Sequence, residues 1–373
     1  MKNTFILAIL SIFLSVNSQE DDYIVYILKG HSDNVNTAAF SIDDKFVYTG
    51  SDDKMIKQWD METGEMVREV EAHYKPVKKV LCLNDGVTIF SAGEKVVKSW
   101  NTLLEYQEGL WSHTTYVWSF DVNPERNKMI CGTFDKKIYL WDLITNEATR
   151  LEAHEKTALA VAYSHDGKYF ASGSLDLHVF IWNAANLEVE KVGIGHADNI
   201  YDLEFTSDGK YLISVSKDKM IKIWEVETGG HYRTLSGHTD AVMSVSIHQN
   251  SRFFITASYD GTIRLWDLVT GNSIYTFIKH DGPVNEVCFS HNGKYFVSSS
   301  NDKTAIIWNF SPGLIANFQY AEELENEWEQ NAVFSPKRKN ESRTDYLERQ
   351  ERANEKRNEI YLKYYNKYLK EIN

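Results

Sequence analysis

Tryptophan recurs through most of this 373-residue sequence at a spacing of 41 or 42 residues. A histidine lies 27 or 28 residues before each of these tryptophans, and an acidic residue lies six before. The series is Trp59, Trp100, Trp141, Trp182, Trp224, Trp266 and Trp308. Seven copies of one unit, at a period of about 40–45 residues, predict a repeat architecture in which each copy is one supersecondary unit.

The sixth unit shows what each copy folds into. Residues 242–247, 253–257, 262–266 and 274–278 have the short, β-branched and aromatic character of four successive strands. Turn residues such as Asp208-Gly209-Lys210 separate strands in corresponding positions of other units. A four-stranded sheet cannot bury both of its faces alone, so the units are expected to stack radially as blades.

The motifs LSGHTD at 235–240 and SYDGTIRLWD at 258–267 are the clearest copies, and related motifs recur across residues 28–309. This region resembles the WD-repeat family, which includes the G-protein β subunits. The resemblance implies an all-β fold, a seven-bladed WD-repeat β-propeller. The residues after the repeats predict a C-terminal α-helical tail. It is a resemblance to an architecture, and fold alone does not define function.

The resemblance also implies a structural hydrogen-bonded tetrad in each blade, formed by the histidine, the aspartate, a Ser or Thr two residues before it, and the tryptophan. The second unit departs, because Ala92 and Glu94 stand at the Ser and Asp positions. The six tetrads expected to be complete are His31, Ser51, Asp53 and Trp59; His113, Thr133, Asp135 and Trp141; His154, Ser174, Asp176 and Trp182; His196, Ser216, Asp218 and Trp224; His238, Ser258, Asp260 and Trp266; His280, Ser300, Asp302 and Trp308.

A His–Asp–Ser grouping also occurs in nucleophilic active sites. An active site is needed once, whereas this grouping recurs with a tryptophan in six units, so we interpret it as structural. The sequence has no phosphate-binding glycine loop, zinc-ligand spacing or nucleophile elbow. We therefore predict a non-enzyme, with no catalytic residues, no cofactor and no metal.

Two segments could close the ring. Residues 23–28 precede the first Gly-His pair and have the character of a fourth strand for the last blade, which would remove an open sheet edge. Residues 314–318 could fill the same position. We favour the N-terminal strand, because it is in register with Gly30-His31.

Charge argues against nucleic acid as a direct ligand. The net charge is −13; residues 310–336 contribute −5 and residues 337–373 contribute +4, so residues 1–309 carry −12. A propeller this acidic has little general affinity for phosphate backbones.

The 12-residue apolar run 5–16 is too short for a bilayer span of about 20 residues. It predicts a signal peptide, residues 1–18, and entry into the secretory pathway; the alternative is a cytoplasmic protein.

The expected organisation is a signal peptide at 1–18, the propeller at 19–309, an acidic linker with a short helix at 310–336, and a charged helix at 337–373. Near the end, Ile360, Tyr364 and Tyr368 belong to an apolar stripe. That helix either docks on a partner or on the propeller, or stays solvated.

We predict a protein-interaction scaffold whose recognition surface lies on the rim where the innermost strands begin, the face that family members use. Large apolar residues at these positions concentrate in units three to six, and Trp118 and Phe134 are the expected anchors. The predicted partner-binding residues are Tyr116, Trp118, Phe134, Leu159, Leu175, Tyr201, Met243 and Tyr259. The alternative is an extracytoplasmic propeller that binds a small molecule or acts as a hydrolase at its central channel. That alternative requires converging charged groups on the innermost strands, which we do not recognise in the sequence.

Overall fold

The computed structural model describes residues 23–152, 154–334 and 341–371. Within these residues, 28 strands form seven four-stranded antiparallel sheets, and helices follow them. The chain divides into two compact units between Asn309 and Phe310. The expected seven-bladed propeller with a C-terminal helical tail is confirmed.

The blades follow one another in chain order. Blades 1 and 2 consist, from the innermost strand outwards, of β2 (Val35–Phe40), β3 (Phe46–Ser51), β4 (Met55–Asp60) and β5 (Met66–Glu71), then β6 (Val77–Cys82), β7 (Thr88–Gly93), β8 (Val96–Asn101) and β9 (Tyr106–Ser112). Blades 3 and 4 consist of β10 (Val117–Val122), β11 (Lys128–Thr133), β12 (Lys137–Asp142) and β13 (Ala148–Glu152), then β14 (Ala158–Tyr163), β15 (Tyr169–Ser174), β16 (His178–Asn183) and β17 (Val189–Ile194).

The remaining blades repeat the same order. Blades 5 and 6 consist of β18 (Ile200–Phe205), β19 (Tyr211–Ser216), β20 (Ile221–Glu225) and β21 (His231–Leu235), then β22 (Val242–Ile247), β23 (Phe253–Ser258), β24 (Ile263–Asp267) and β25 (Ser273–Phe277). Blade 7 consists of β26 (Val284–Phe289), β27 (Tyr295–Ser300), β28 (Thr304–Asn309) and β1 (Ile24–Lys29).

The N-terminal strand closes the ring, as predicted. β1 pairs antiparallel with β28, placing Leu28 opposite Ala305. Residues 314–318, the competing candidate, lie instead in helix α1 (Pro312–Glu329). The first and last parts of the propeller sequence therefore share one sheet, and the outer edge of β28 is paired.

Local chemistry explains why the blades form and stack. Between β18 and β19, the Asp208 carboxylate accepts from the Thr206 hydroxyl at 2.7 Å, and Gly209 takes a positive φ of 69° that suits the tight turn. Hydrophobic clusters join neighbouring blades; one combines Ile181 of blade 4 with Ile200 of blade 5. The approach is close at Gly173, where an added Cβ would lie 2.5 Å from Ile200 Cγ2. Each blade thus buries its faces against its neighbours.

The C-terminal unit is a pair of packed helices. Helix α1 begins after Ser311, whose side chain accepts from the Gly313 amide, and α2 spans Arg343–Glu371. A 3-10 turn, Ala332–Phe334, follows α1. The Tyr320 and Tyr364 rings lie 5.2 Å apart, centre to centre, and link the two helices. None of the helices in the described ranges is sufficiently long and apolar to span a membrane.

Candidate functional site

In six blades a hydroxyl joins the recurring histidine to the recurring tryptophan, and in five of them the histidine also pairs with the aspartate. In blade 5, the Trp224 indole N–H donates to Ser214 Oγ at 2.8 Å, Ser214 Oγ lies 2.8 Å from His196 Nε2, and His196 Nδ1 lies 2.9 Å from Asp218. The indole can only donate, so the single hydroxyl proton points to His Nε2 and the Nδ1 proton points to the aspartate. Every donor in this chain of hydrogen bonds therefore has an acceptor.

The hydroxyl predicted for these tetrads was wrong. The bridging residue lies four residues before the aspartate, not two, and the bridging residues are Thr49, Ser172, Ser214, Thr256 and Ser298. The predicted Ser51, Ser174, Ser216, Ser258 and Ser300 instead donate to backbone carbonyls of the loop before the inner strand. Two residues along a strand is about 7 Å, too far to reach the tryptophan nitrogen.

Blade 2 retains part of the network. Ser91 Oγ lies 2.8 Å from His73 Nε2 and accepts from the Trp100 indole at 2.8 Å. Glu94, at a φ of 61°, does not hydrogen-bond to His73, and both His73 Nδ1 and Glu94 Oε1 are buried without a hydrogen-bond partner. Burial lowers the pKa of His73 to about 3, with a smaller effect from the Lys98 charge.

Blade 3 also departs, although its tetrad was predicted to be complete. Cys131 stands at the bridging position, so the Trp141 indole donates directly to His113 Nε2 at 3.3 Å. Asp135 accepts instead from the Thr133 and Tyr139 hydroxyls, and His113 Nδ1 is buried without a partner. A thiol is a weak acceptor, which explains why the bridge is missing. Five blades therefore carry the full network, and two carry parts of it.

Burial supports a structural role for these groups. The five bridging hydroxyl residues are fully buried, at 0% exposure, so a substrate could not reach them. Burial alone would raise the pKa of Asp218, but the hydrogen bond from His196 and those from backbone amides outweigh it and lower the pKa to about 2. The carboxylate is thus held ionised inside the blade.

The predicted partner-binding residues, which we call the apolar rim, lie where the inner strands begin. Trp118, Leu159, Tyr201, Met243 and Tyr259 line one cavity of about 140 Å³, which we call the mouth. Next to it, the Phe134 ring lies 5.7 Å from Trp118 and 6.1 Å from Tyr116. Tyr116, Phe134 and Tyr259 are 43–47% exposed.

Two members of the apolar rim differ from the others. Leu159 is only 4% exposed, so it offers little surface to a partner, because its side chain is covered within the ring of inner strands. Leu175 is half-buried and does not line the mouth. The structure thus brings together Tyr116, Trp118 and Phe134 on one side and Tyr201, Met243 and Tyr259 around the mouth.

The rest of the rim is polar and held in place by its own hydrogen bonds. Asp52 accepts from Asn36 at 2.7 Å and from Lys78 at 2.9 Å. In blade 7, Asn285 donates to Asn301 and to the Val35 carbonyl, both at 2.8 Å. These polar groups are already hydrogen-bonded to one another. The apolar side of the rim is therefore the part that a partner could cover without breaking existing hydrogen bonds.

Charged groups do converge on the central channel, contrary to the sequence-based interpretation. The channel, a cavity of about 610 Å³, is lined by four carboxylates that we call the channel carboxylates. They are Asp121, Asp202, Glu204 and Glu286. Lys79 lies among them and contacts Glu286. They were missed because each comes from an alternating position on an inner strand, and three different blades supply them.

The channel carboxylates also connect blades. Glu286 accepts from the Ala38 amide at 3.0 Å, Asp121 from the Tyr163 amide at 2.7 Å, and Asp202 from the Val245 amide at 3.0 Å. In each case the amide belongs to the next blade around the ring. Burial raises the pKa of Asp121 to about 6, and the hydrogen bonds it accepts offset this only in part. Among the residues described, no group of three or more His, Cys, Asp or Glu side chains is arranged to hold a metal ion.

Comparison with known proteins agrees with this geometry. The family model described as "WD domain, G-beta repeat" matches residues 23–60, 106–142, 145–183, 189–225, 229–267 and 271–309. The unmatched residues 61–105 include β6 to β8 of blade 2, where the acidic residue is Glu94.

Similar curated proteins match only in part. The chain is 31% identical to nuclear distribution protein nudF 1 of Talaromyces marneffei over 38% of its length and 32% of that protein. It is 29% identical to the probable E3 ubiquitin ligase complex SCF subunit scon-2 of Neurospora crassa, over 50% of this chain and 28% of that protein. It is 27% identical to the target of rapamycin complex subunit wat1 of Schizosaccharomyces pombe, over 43% of this chain and 54% of that protein. The matches thus span about a third to a half of these relatives. With six matched repeats and a seventh blade of the same topology, the chain belongs to the WD40-repeat family.

Proposed function

We propose that this protein is a non-enzymatic scaffold that binds protein or peptide partners at the apolar rim of its propeller. The observation that carries the proposal is the contiguous group of Tyr116, Trp118 and Phe134, whose rings lie within about 6 Å of their neighbours at the surface. Aromatic residues grouped next to a cavity are typical of interface hot spots. An exposed apolar patch on a soluble protein is usually covered by a partner.

The difference between the polar and apolar sides of the rim indicates which side a partner would cover. Asn36, Lys78 and Asp52 satisfy one another, so a partner that covered them would have to replace existing hydrogen bonds. Covering Tyr116 or Phe134 removes apolar area from water at no such cost. Blades 3 to 6 therefore form the proposed contact surface.

The relatives' names agree with a role in assemblies. One is named a subunit of a ubiquitin ligase complex and another a subunit of a target of rapamycin complex. By analogy, we propose that this chain also acts by holding other proteins.

The same names, together with the nuclear distribution protein, favour the cytoplasmic alternative over secretion. The predicted signal peptide lies outside the described residues, and sequencing the N-terminus of the native protein tests it: a chain that begins at Gln19 would support secretion.

The alternative function, chemistry at the central channel, has less support. The channel carboxylates converge as that alternative requires, but they accept hydrogen bonds from backbone amides of neighbouring blades. A group that fixes the ring in this way has an evident structural use. We therefore favour binding over catalysis.

We also propose the domain limits 19–309 for the propeller, 310–336 for the acidic linker and 337–373 for the charged helix, with the helical unit as a second contact. Leu347 and Leu362 of α2 are 57% and 48% exposed and offer apolar area for this second contact with a partner. Deleting residues 310–373 should leave binding at the apolar rim intact and remove any partner that depends on the helices.

Site-specific crosslinking tests the proposed surface. A photoreactive phenylalanine analogue is placed at Tyr116 in one variant and at Ile144 in another. Ile144 is 80% exposed in the turn between β12 and β13, so it is a matched apolar control away from the rim. We expect partner crosslinks from position 116 and few from position 144. Equal crosslinking from both positions would contradict the proposal.

A further inference from the structure

The carboxylates of the channel outnumber the cations that face them. Lys79 is bonded to Glu286. Within the ranges that the structure covers, no Lys, Arg or His nitrogen lies within 4.0 Å of the Asp121, Asp202 or Glu204 carboxylates. Three of the four carboxyl groups therefore have no cation within salt-bridge distance, although the Lys79 charge lowers the pKa of each.

Asp202 retains acceptor capacity. Asp202 accepts from the Leu203 and Val245 amides, at 2.9 and 3.0 Å, and from the Ser244 hydroxyl. Glu204 accepts from the Ile247 amide at 3.1 Å. An ionised carboxylate offers about four lone-pair positions, so Asp202 in its ionised form can accept further hydrogen bonds from a charged donor.

The mouth leads directly to Asp202. Asp202, Glu286 and Lys79 line both the mouth and the channel. One side of the mouth is lined by Trp118, Tyr201, Met243 and Tyr259. Its lining also includes Lys78 and Lys79, which contact Asp52 and Glu286, respectively. Aromatic faces attract cations, and apolar walls suit the alkyl stem of a long basic side chain, whose charged end stays polar.

We propose that the partner of the apolar rim inserts one arginine or lysine side chain through the mouth, with its stem against Trp118 and Tyr201 and its charged group hydrogen-bonded to Asp202. This inference rests on the proposed function, because it specifies what the same surface recognises. It goes further by naming the chemical class of the anchoring residue and the carboxylate that receives it.

Burial outweighs the attraction of Lys79 at both Asp202 and Glu204. Burial raises the pKa of Asp202, and burial together with repulsion from Asp202 raises the pKa of Glu204 well above its ordinary value. A cation in the mouth would lower both. The net charge of −12 on residues 1–309 would also accelerate the approach of a basic partner.

The experiment selects peptides from a random twelve-residue phage-displayed library on the full-length chain. The affinity of the best synthetic peptide is then measured by fluorescence anisotropy. The variants are Trp118→Ala, Asp202→Asn and Ser119→Lys. Ser119 lines the mouth, so a lysine there would occupy the site with an internal cation while leaving every carboxylate in place. Asp208→Asn, in an exposed turn, changes the net charge equally and is the matched control. Circular dichroism verifies that each variant is folded.

We expect the selected peptides to share one Arg or Lys. Replacing it with citrulline or norleucine should weaken binding about tenfold or more, as should Ser119→Lys and Asp202→Asn, whereas Asp208→Asn should have little effect. If Asp202→Asn does not fold, Ser119→Lys decides the result.

The outcomes separate the two proposals. Peptides that need Trp118 but contain no essential basic residue would overturn this inference and leave the proposed function standing. An equal loss with Asp208→Asn would indicate nonspecific attraction and overturn it too. Peptides insensitive to Trp118→Ala, or no selected peptide at all, would overturn both.

Discussion

The Trp141 indole N–H donates directly to His113 Nε2 at 3.3 Å, whereas in the other six blades a hydroxyl lies between the corresponding tryptophan and histidine. The difference comes from one residue, Cys131, which is fully buried at the bridging position. Blade 3 therefore lacks the bridging hydroxyl, and replacing the sulfur of Cys131 with oxygen would supply it.

Replacing Cys131 with serine should stabilise the protein. The new hydroxyl can accept from Trp141 and donate to His113 Nε2, as Ser214 does in blade 5. We expect a gain of about 0.5–1.5 kcal/mol in the free energy of unfolding, the usual net contribution of a buried hydrogen bond. Chemical denaturation measures it. Cys131→Ala is the control, because it removes the thiol without adding a donor; a serine variant no more stable than the alanine variant would show that the bridge does not form.

Removing a tetrad aspartate should be costly in a complete blade and less so in blade 2. Asp260→Ala leaves the buried His238 Nδ1 without its acceptor and also removes hydrogen bonds to the Thr239 and Thr262 amides. We expect a loss of about 1–3 kcal/mol. Glu94→Ala should cost distinctly less, because Glu94 does not pair with His73. Equal losses in a urea titration would contradict the structural role of the tetrads.

The stability should fall as the pH decreases below about 6.5, owing partly to His73. In the unfolded chain this histidine protonates near its ordinary pKa of 6.5, whereas in the folded blade burial lowers the pKa to about 3. Between these values the unfolded state binds more protons, so each pH unit costs up to about 1.4 kcal/mol. His113, with its pKa lowered to about 4 by burial, acts in the same direction.

Denaturant titrations at pH 6.0 and 5.0 measure this effect. His73→Gln should reduce the loss of stability over that interval compared with the unsubstituted protein, whatever its effect on stability at pH 7. An unchanged pH dependence in this variant would show that His73 titrates normally in the folded state.

The period of the tryptophans was sufficient to predict the blades, and the register of residues 23–28 with Gly30-His31 predicted the strand that closes the ring. The bridging hydroxyl was misplaced because Thr49 and Ser51 lie on the same face of β3, so periodicity alone does not choose between them. The Asp121 and Asp202 carboxylates were missed for a different reason. They are 81 residues apart in the sequence and meet only when the ring closes.

Close packing between blades makes Gly173 intolerant of a side chain. An added Cβ would lie 2.5 Å from Ile200 Cγ2, so Gly173→Ala should destabilise the protein by about 1–3 kcal/mol. Thermal unfolding measures the change. The double variant Gly173→Ala, Ile200→Ala supplies the control: if its loss equals the sum of the two single losses, the proposed clash is absent.

The central claim is that the apolar rim binds the partner, and the most direct test is the affinity of an isolated partner for the Trp118→Ala, Phe134→Ala double variant. The half-buried Trp118 and the exposed Phe134 belong to one aromatic group, so we expect binding to weaken by at least about 2 kcal/mol, roughly thirtyfold. The far-ultraviolet circular dichroism and the unfolding midpoint should stay close to those of the unsubstituted protein. A folded double variant that retains full affinity for every partner would contradict the account.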